Sequence, residues 1–194
     1  MMNNKIDMEN KTMIKLVVGT EAMFFLALIM AFIYLSFISG FKHGEQQALN
    51  IQSTGMFSIL LVSSSLTFWL AEKNYKKGNI KQLKTWLFIT IILGSAFLFG
   101  QAKEYIHLIH VQQITLSNSI FGTGFYTLTG FHGFHVIVGI IILITLLIMT
   151  MLGDFNKPGS SVLSTAGVYW HFVDIVWIVV FTIVYVIPRT SILN

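Results

Sequence analysis

Two pairs of ionisable residues stand three positions apart inside long apolar stretches of the sequence. His132 and His135 form one pair, and His171 and Asp174 form the other. Residues three apart share one face of a helix, so the members of each pair lie on the same side. Imidazole and carboxylate groups ligate metals, and one hypothesis is therefore a metal or haem site. The flanking residues are largely phenylalanine and tryptophan, which favours the alternative, an interhelical hydrogen-bond network that locks helix register.

A further ionisable residue, Glu21, stands inside the first apolar stretch. In a helix it lies about 9 Å below the start of that stretch, at roughly 1.5 Å per residue. An ionisable side chain in hydrocarbon is costly, so it needs a partner or a purpose. Two interpretations remain open: a proton-handling or lipid-headgroup-sensing site, and a structural carboxyl bonded to a neighbouring helix. Since the two pairs lie at a similar depth, we predict one buried polar network across three helices.

The elements that must position these residues are membrane-spanning helices. Of the 194 residues, 55% are hydrophobic and only 10% are charged, whereas about 25% are charged in an ordinary soluble domain. Five stretches approach the roughly 20 apolar residues that a spanning helix needs. They lie at about residues 16–41, 53–71, 85–102, 125–152 and 164–186. We predict an all-α, polytopic bundle with a single membrane domain at residues 15–190, preceded by a cytoplasmic segment at residues 1–14.

The basic residues indicate the orientation of this bundle. With five spans, the N-terminus and the second and fourth loops share a side, and nine of the 12 lysines and arginines fall there. Such residues favour the cytoplasmic face, so we predict the N-terminus inside and the C-terminus outside. The same distribution accounts for the net charge of +4, and we expect no nucleic-acid partner. Cysteine is absent, which excludes disulfides, thiolate metal sites and cysteine nucleophiles.

Glu104 stands at the outer end of the third span in this orientation. Lys103 precedes it, and His107 and His110 follow within two turns. Polar residues at this density are typical of a helix end in water. We therefore predict that Glu104 belongs to a solvated cluster at the outer interface and not to a functional site.

Four short sequences resemble, in the same order, segments of cytochrome c oxidase subunit III. They are TEAMFF at residues 20–25, GQAKEY at residues 100–105, a stretch containing FHGFH at residues 121–139, and YWHFVDIVW at residues 169–177. The last two resemble the sixth and the last helix of that family, and Glu21 falls at its membrane-embedded glutamate. The longer family form has seven helices, and the five spans here correspond to its last five, as in the short forms of the family.

The resemblance implies a non-redox subunit of a bacterial haem–copper terminal oxidase, which couples oxygen reduction to proton translocation. It implies no cofactor or metal in this chain, with haem and copper in partner subunits I and II. The chain is then expected to pack on subunit I, stabilise it and support proton uptake, with Glu21 as the proton-uptake or lipid-site candidate. Membrane phospholipids are further expected partners, and the expected location is the bacterial cytoplasmic (inner) membrane.

Two alternatives stand beside this interpretation. Within the family, the chain could serve a quinol oxidase, or a nitric oxide reductase as an accessory subunit, because the electron donor is determined in other subunits. Outside the family, it could be a stand-alone haem or metal membrane enzyme. That enzyme would use the cluster of His132, His135, His171 and Asp174, which the first interpretation treats as structural.

Overall fold

The structure is a computed structural model that describes residues 2–39, 49–153 and 161–187. These residues form five helices and no strand. The helices are α1 (Met2–Ser39), α2 (Ile51–Lys76), α3 (Ile80–His110), α4 (Ile120–Leu152) and α5 (Ser161–Phe181), and α5 continues into a π-helical segment, Thr182–Val186. Each helix contains a stretch long and apolar enough to cross a membrane. The prediction of an all-α bundle with five spans is therefore confirmed.

The helices extend beyond several of the predicted spans. α2 extends to Lys76 and α3 to His110. A helix can continue into polar sequence beyond its apolar, membrane-spanning part. α1 begins at Met2, so the segment predicted at residues 1–14 continues into the first helix without a break. The separate cytoplasmic segment and the inside–outside orientation stay predictions. Residues 40–41, the predicted end of the first span, lie outside the described residues.

Local sequence signals set where the helices begin and end. Asn50, Asn79 and Ser119 stand just before α2, α3 and α4, and each side-chain oxygen accepts a hydrogen bond from a first-turn backbone N–H, at 3.1, 3.2 and 2.9 Å. α4 ends at Gly153, whose φ of 94° is favourable only for glycine. Gly78, with a φ of 73°, turns the chain between α2 and α3.

Helices α2 to α5 form a ring in which each helix packs on the next and α5 packs on α2. α1 lies outside this ring, against α4 and α5. Its buried face is a narrow stripe that includes Phe25, Ile29 and Phe32. These residues repeat every three or four positions, as expected of a helix that packs along one side. The ring is therefore the core of the bundle, and α1 is added to it.

Two tryptophans of α5 fix its distance from the neighbouring helices. Trp170 lies against the glycines of α3 and α4, since a Cβ at Gly94 or Gly139 would lie 2.8 or 2.7 Å from its ring carbons. Its Nε1 donates to Ser64 Oγ at 3.0 Å. Trp177, two turns later, stands in the same relation to Ser58 on α2, with its Nε1 donating at 2.8 Å. Small residues thus allow close approach, and hydroxyl groups accept the indole N–H.

Candidate functional site

The Glu21–His135 pair joins α1 to α4. His135 Nε2 lies 3.0 Å from Glu21 Oε2, and His135 Nδ1 lies 2.7 Å from the carbonyl oxygen of Phe131. A carbonyl oxygen can only accept, so Nδ1 carries a proton and Nε2 faces the carboxyl group. Either a protonated carboxyl donates to neutral Nε2, or an imidazolium donates to a carboxylate. The hydrogen bond is kept in both forms, so this pair can hold and exchange one proton without moving its heavy atoms.

This pair opens to the surface of the bundle at membrane depth. The Glu21 side chain is 33% exposed and the His135 side chain 10%. Three exposed phenylalanines surround it: Phe24, Phe131 and Phe134. The rings of Phe24 and Phe131 pack edge to face, with their centroids 5.1 Å apart. Glu21 is therefore bonded to a neighbouring helix, as one interpretation expected, and is also accessible from outside the bundle, as the other requires.

His132 lies in the interior and is surrounded by rings. Its ring stacks on Trp177, with centroids 4.8 Å apart, and meets the edge of Phe97 at 5.8 Å. The residue is fully buried, and neither ring nitrogen has a hydrogen-bond partner among the described residues. His132 thus serves as a flat packing group between α3, α4 and α5.

His171 and Asp174 meet at a residue of α2, Ser65. The hydroxyl of Ser65 lies 2.9 Å from His171 Nδ1 and is hydrogen-bonded to Asp174 Oδ2. Asp174 is 3% exposed, whereas His171 is half-buried, with Phe68 against its ring at 5.9 Å. The two residues share one face of α5 and a common neighbour on α2, and that neighbour is a serine.

The prediction of one network across three helices is wrong. The four residues His132, His135, His171 and Asp174 fall into three separate groups, and only His135 reaches Glu21. Residues three apart on a helix point about 60° away from each other. This angle is enough for His135 to face α1 while His132 faces the interior of the ring. His171 and Asp174 face α2, on another side of α5.

Glu104 lies between helices and not in water, so the prediction of a solvated cluster is wrong for this residue. Its Oε2 accepts hydrogen bonds from Thr54 Oγ1 on α2 and from Tyr185 OH, at 2.9 Å, in the π-helical segment. Its Oε1 is buried and has no hydrogen-bond partner among the described residues. Of the expected neighbours, Lys103 and His107 are exposed. The reason is that α2 and the end of α5 cover this face of α3.

Hydroxyl groups of α2 were not predicted as partners. Five of them bond to polar groups on other helices: Thr54, Ser58, Ser64, Ser65 and Thr67. The run of three serines at residues 63–65 inside an apolar span is the signal that could have found them. A hydroxyl in hydrocarbon bonds either to its own helix or to a neighbouring one.

The arrangement gives no ligand set for a metal. Within the described ranges, no group of three or more His, Cys, Asp or Glu side chains is placed to hold a metal ion. His132 is enclosed by aromatic rings. The imidazole of His135 is bonded to Glu21, and that of His171 is bonded to Ser65. The geometry therefore favours interhelical bonding over a metal or haem site at these residues.

The fold and the site together define a class: a five-span membrane bundle whose ionisable side chains pair between helices. The family model of cytochrome c oxidase subunit III matches residues 3–188. The probable cytochrome c oxidase subunit 3 of Nocardia farcinica is 38% identical over 168 residues, which cover 86% of this chain and 82% of the relative. The cytochrome c oxidase subunit 3 of Bacillus subtilis is 33% identical over 170 residues (88% and 82%), and that of Synechocystis is 34% identical over 169 residues (86% and 71%). The chain belongs to the cytochrome c oxidase subunit III family, which confirms the resemblance found in the sequence motifs.

Proposed function

We propose that this chain is the non-redox subunit III of a haem–copper terminal oxidase, which reduces oxygen to water and translocates protons. The family match carries this proposal, because it spans all five helices. Haem and copper then belong to partner subunits I and II. The chain lies in the bacterial cytoplasmic membrane, with its N-terminus inside and its C-terminus outside. The names of the relatives favour cytochrome c over quinol as electron donor.

The face of α1 and α4 around Glu21 is the surface that we assign to subunit I. Glu21 Oε2 is bonded to His135, but a carboxyl that stays one-third exposed at membrane depth favours a further polar group from outside the bundle, and lipid acyl chains cannot supply one. A groove of about 460 Å³ opens beside the pair on the same side of α4. It is lined by Leu116, Tyr126, Thr127, Gly130, Phe131 and Phe134. The glycine and the exposed rings suit a helix of a partner subunit, with phospholipid filling what remains open.

At this surface Glu21 supports proton uptake by subunit I. Its carboxyl and His135 Nε2 exchange one proton at 3.0 Å without rearrangement, and in the predicted orientation the pair lies in the cytoplasmic half of the membrane. A carboxyl–imidazole pair of this kind can release its proton to the proton-uptake entrance of subunit I between catalytic turnovers. The rest of the bundle stabilises subunit I by packing.

Purification of the tagged chain from native membranes in mild detergent tests the assignment. We expect haem- and copper-containing subunits I and II to co-purify, and the separated chain to be colourless. A copper-containing subunit II among the co-purifying chains would establish cytochrome c as the donor. If the chain came alone and carried its own haem or metal, the proposed function would be wrong.

The role of Glu21 is tested by Glu21→Gln in the assembled oxidase, with Glu104→Gln as the matched control. The control removes a carboxyl that is bonded inside the bundle and not open to the Glu21 face. We expect Glu21→Gln to leave folding and haem content intact and to lower sustained proton pumping modestly, while the control leaves pumping unchanged. Loss of haem in Glu21→Gln, or equal effects of both variants, would contradict a local role in proton uptake.

A further inference from the structure

Ser65 stands between a half-buried imidazole and a buried carboxyl. Its hydroxyl oxygen lies 2.9 Å from His171 Nδ1 and bonds to Asp174 Oδ2. The second carboxyl oxygen, Oδ1, is buried and has no hydrogen-bond partner among the described residues. A buried carboxyl oxygen that accepts no hydrogen bond costs less free energy when the carboxyl is neutral than when it is ionised. The geometry thus suits a carboxyl that carries a proton for at least part of the time.

A column of polar groups leads to Ser65 from one end of α2. Lys76, which is 70% exposed, forms a 2.9 Å salt bridge with Glu72, one turn earlier. Glu72 interacts electrostatically with His171 across the α2–α5 contact. Ser65 lies on the same face of α2, two turns before Glu72, which is about 10 Å along the axis. The column therefore runs from the exposed end of α2 to a carboxyl that is 3% exposed.

We propose that Asp174 is a proton-binding site of this chain, which is loaded from the Lys76 end of α2 through His171 and Ser65. Glu72 and Lys76, bridged to each other at the exposed end of α2, mark the side from which protons arrive. His171 passes each proton inward, and Asp174 stores it in the interior of the bundle.

The transfer balances without any other reactant. Nε2 of His171 takes up a proton, and the ring becomes an imidazolium whose Nδ1–H donates to Ser65 Oγ. The Nδ1–H bond breaks as a new O–H bond forms on Ser65, and the original hydroxyl proton moves to Asp174 Oδ2. The products are a neutral imidazole, an intact serine and a neutral carboxyl. The heavy atoms keep their hydrogen bonds, with the direction of donation reversed.

Several titratable side chains that the structure describes on the helices packed against α5 have partners of their own. On α1 and α4, Glu21 and His135 are bonded to each other. His132, also on α4, is stacked on Trp177. On α2, Lys73 lies over the ring of Trp69, and Glu72, at the entrance of the column, is bridged to Lys76. His171 and Ser65 are thus the polar contacts through which Asp174 exchanges its proton.

Infrared spectroscopy of the full chain in lipid nanodiscs tests this relay. A carboxylic acid C=O band that rises as the pH falls, and is absent from Asp174→Asn, reports the proton on Asp174. On transfer to D₂O we expect this band to shift rapidly in the parent chain. In Ser65→Ala we expect the shift to be slower by about tenfold or more, since losing the hydroxyl raises the transfer barrier.

Two variants of the same helix serve as controls. Ser63→Ala removes a neighbouring hydroxyl whose partner among the described residues is Ile59 O of its own helix, and this variant should exchange as fast as the parent chain. Ser65→Thr keeps a hydroxyl and should restore fast exchange, which separates the relay from a folding defect in Ser65→Ala. The relay is refuted if Asp174→Asn removes no pH-dependent band, if the band does not exchange in the parent chain, or if Ser65→Ala exchanges as fast as Ser63→Ala. These readouts belong to the chain itself, so their failure is distinct from a failure of the oxidase assignment.

Discussion

Replacing Gly139 by alanine tests how tightly Trp170 is held between α3 and α4. The new Cβ would lie 2.7 Å from a ring carbon of Trp170, well inside the 3.4 Å at which ordinary contact begins. The indole cannot move away freely, because Gly94 meets it with an equivalent distance of 2.8 Å. Its Nε1 is also held by Ser64. We expect overpacking to lower the free energy of unfolding by about 1–3 kcal/mol.

The measurement is unfolding of the purified chain in mild detergent by sodium dodecyl sulfate, followed by far-ultraviolet circular dichroism. Gly130→Ala on the same helix is the matched control, because its Cβ would meet only Tyr105 OH, at an ordinary 3.8 Å. Trp170→Phe removes the ring atoms that clash with the new Cβ. The loss of unfolding free energy in the double variant Gly139→Ala/Trp170→Phe should therefore be smaller than the sum of the losses in the two single variants, by about 0.5 kcal/mol or more. Equal stability of Gly139→Ala and Gly130→Ala would refute the packing described for Trp170.

Three further outcomes are expected. Ser58→Ala leaves Trp177 Nε1 buried without its acceptor and should cost about 1–3 kcal/mol in the same assay; no loss would show that the N–H finds another acceptor. Gly78→Ala meets no atom within 4 Å but imposes a side chain at a φ of 73°, which should cost about 1–2 kcal/mol, and an unchanged stability would mean that the turn adapts. The chain has no cysteine, so Lys77→Cys should react with a membrane-impermeant thiol reagent only from inside, and Gln112→Cys only from outside; the reverse pattern would overturn the predicted orientation.

Much of the fold could be predicted because a membrane imposes one simple requirement on the sequence. A spanning segment must be long and apolar, so the five spans and the rare ionisable residues within them, such as Glu21 and Asp174, are visible without any structure. That His171 and Asp174 share one face also follows from their spacing, because both residues belong to one helix and its geometry is fixed.

The pairing between helices could not be predicted, because hydropathy carries no information on rotation or relative height. His132 and His135 looked equivalent in sequence, but an angle of about 60° sends one into the interior and the other towards α1. Tyr185 reaches Glu104 from a π-helical segment, which rotates the end of α5 relative to an α-helix. No residue type in that segment indicates this change of winding.

The position of α1 outside the ring has a consequence for the order in which the chain assembles. Glu21 and His135 are 114 residues apart, so α1 enters the membrane long before its partners α4 and α5 exist. At roughly 5–20 residues per second of synthesis, the wait is about 6–23 s. During this time α2 and α3 can already close as a hairpin, while α1 has no neighbour of its own. The first helix to be synthesised therefore packs last. Its docking onto α4 and α5 follows the formation of the rest of the bundle.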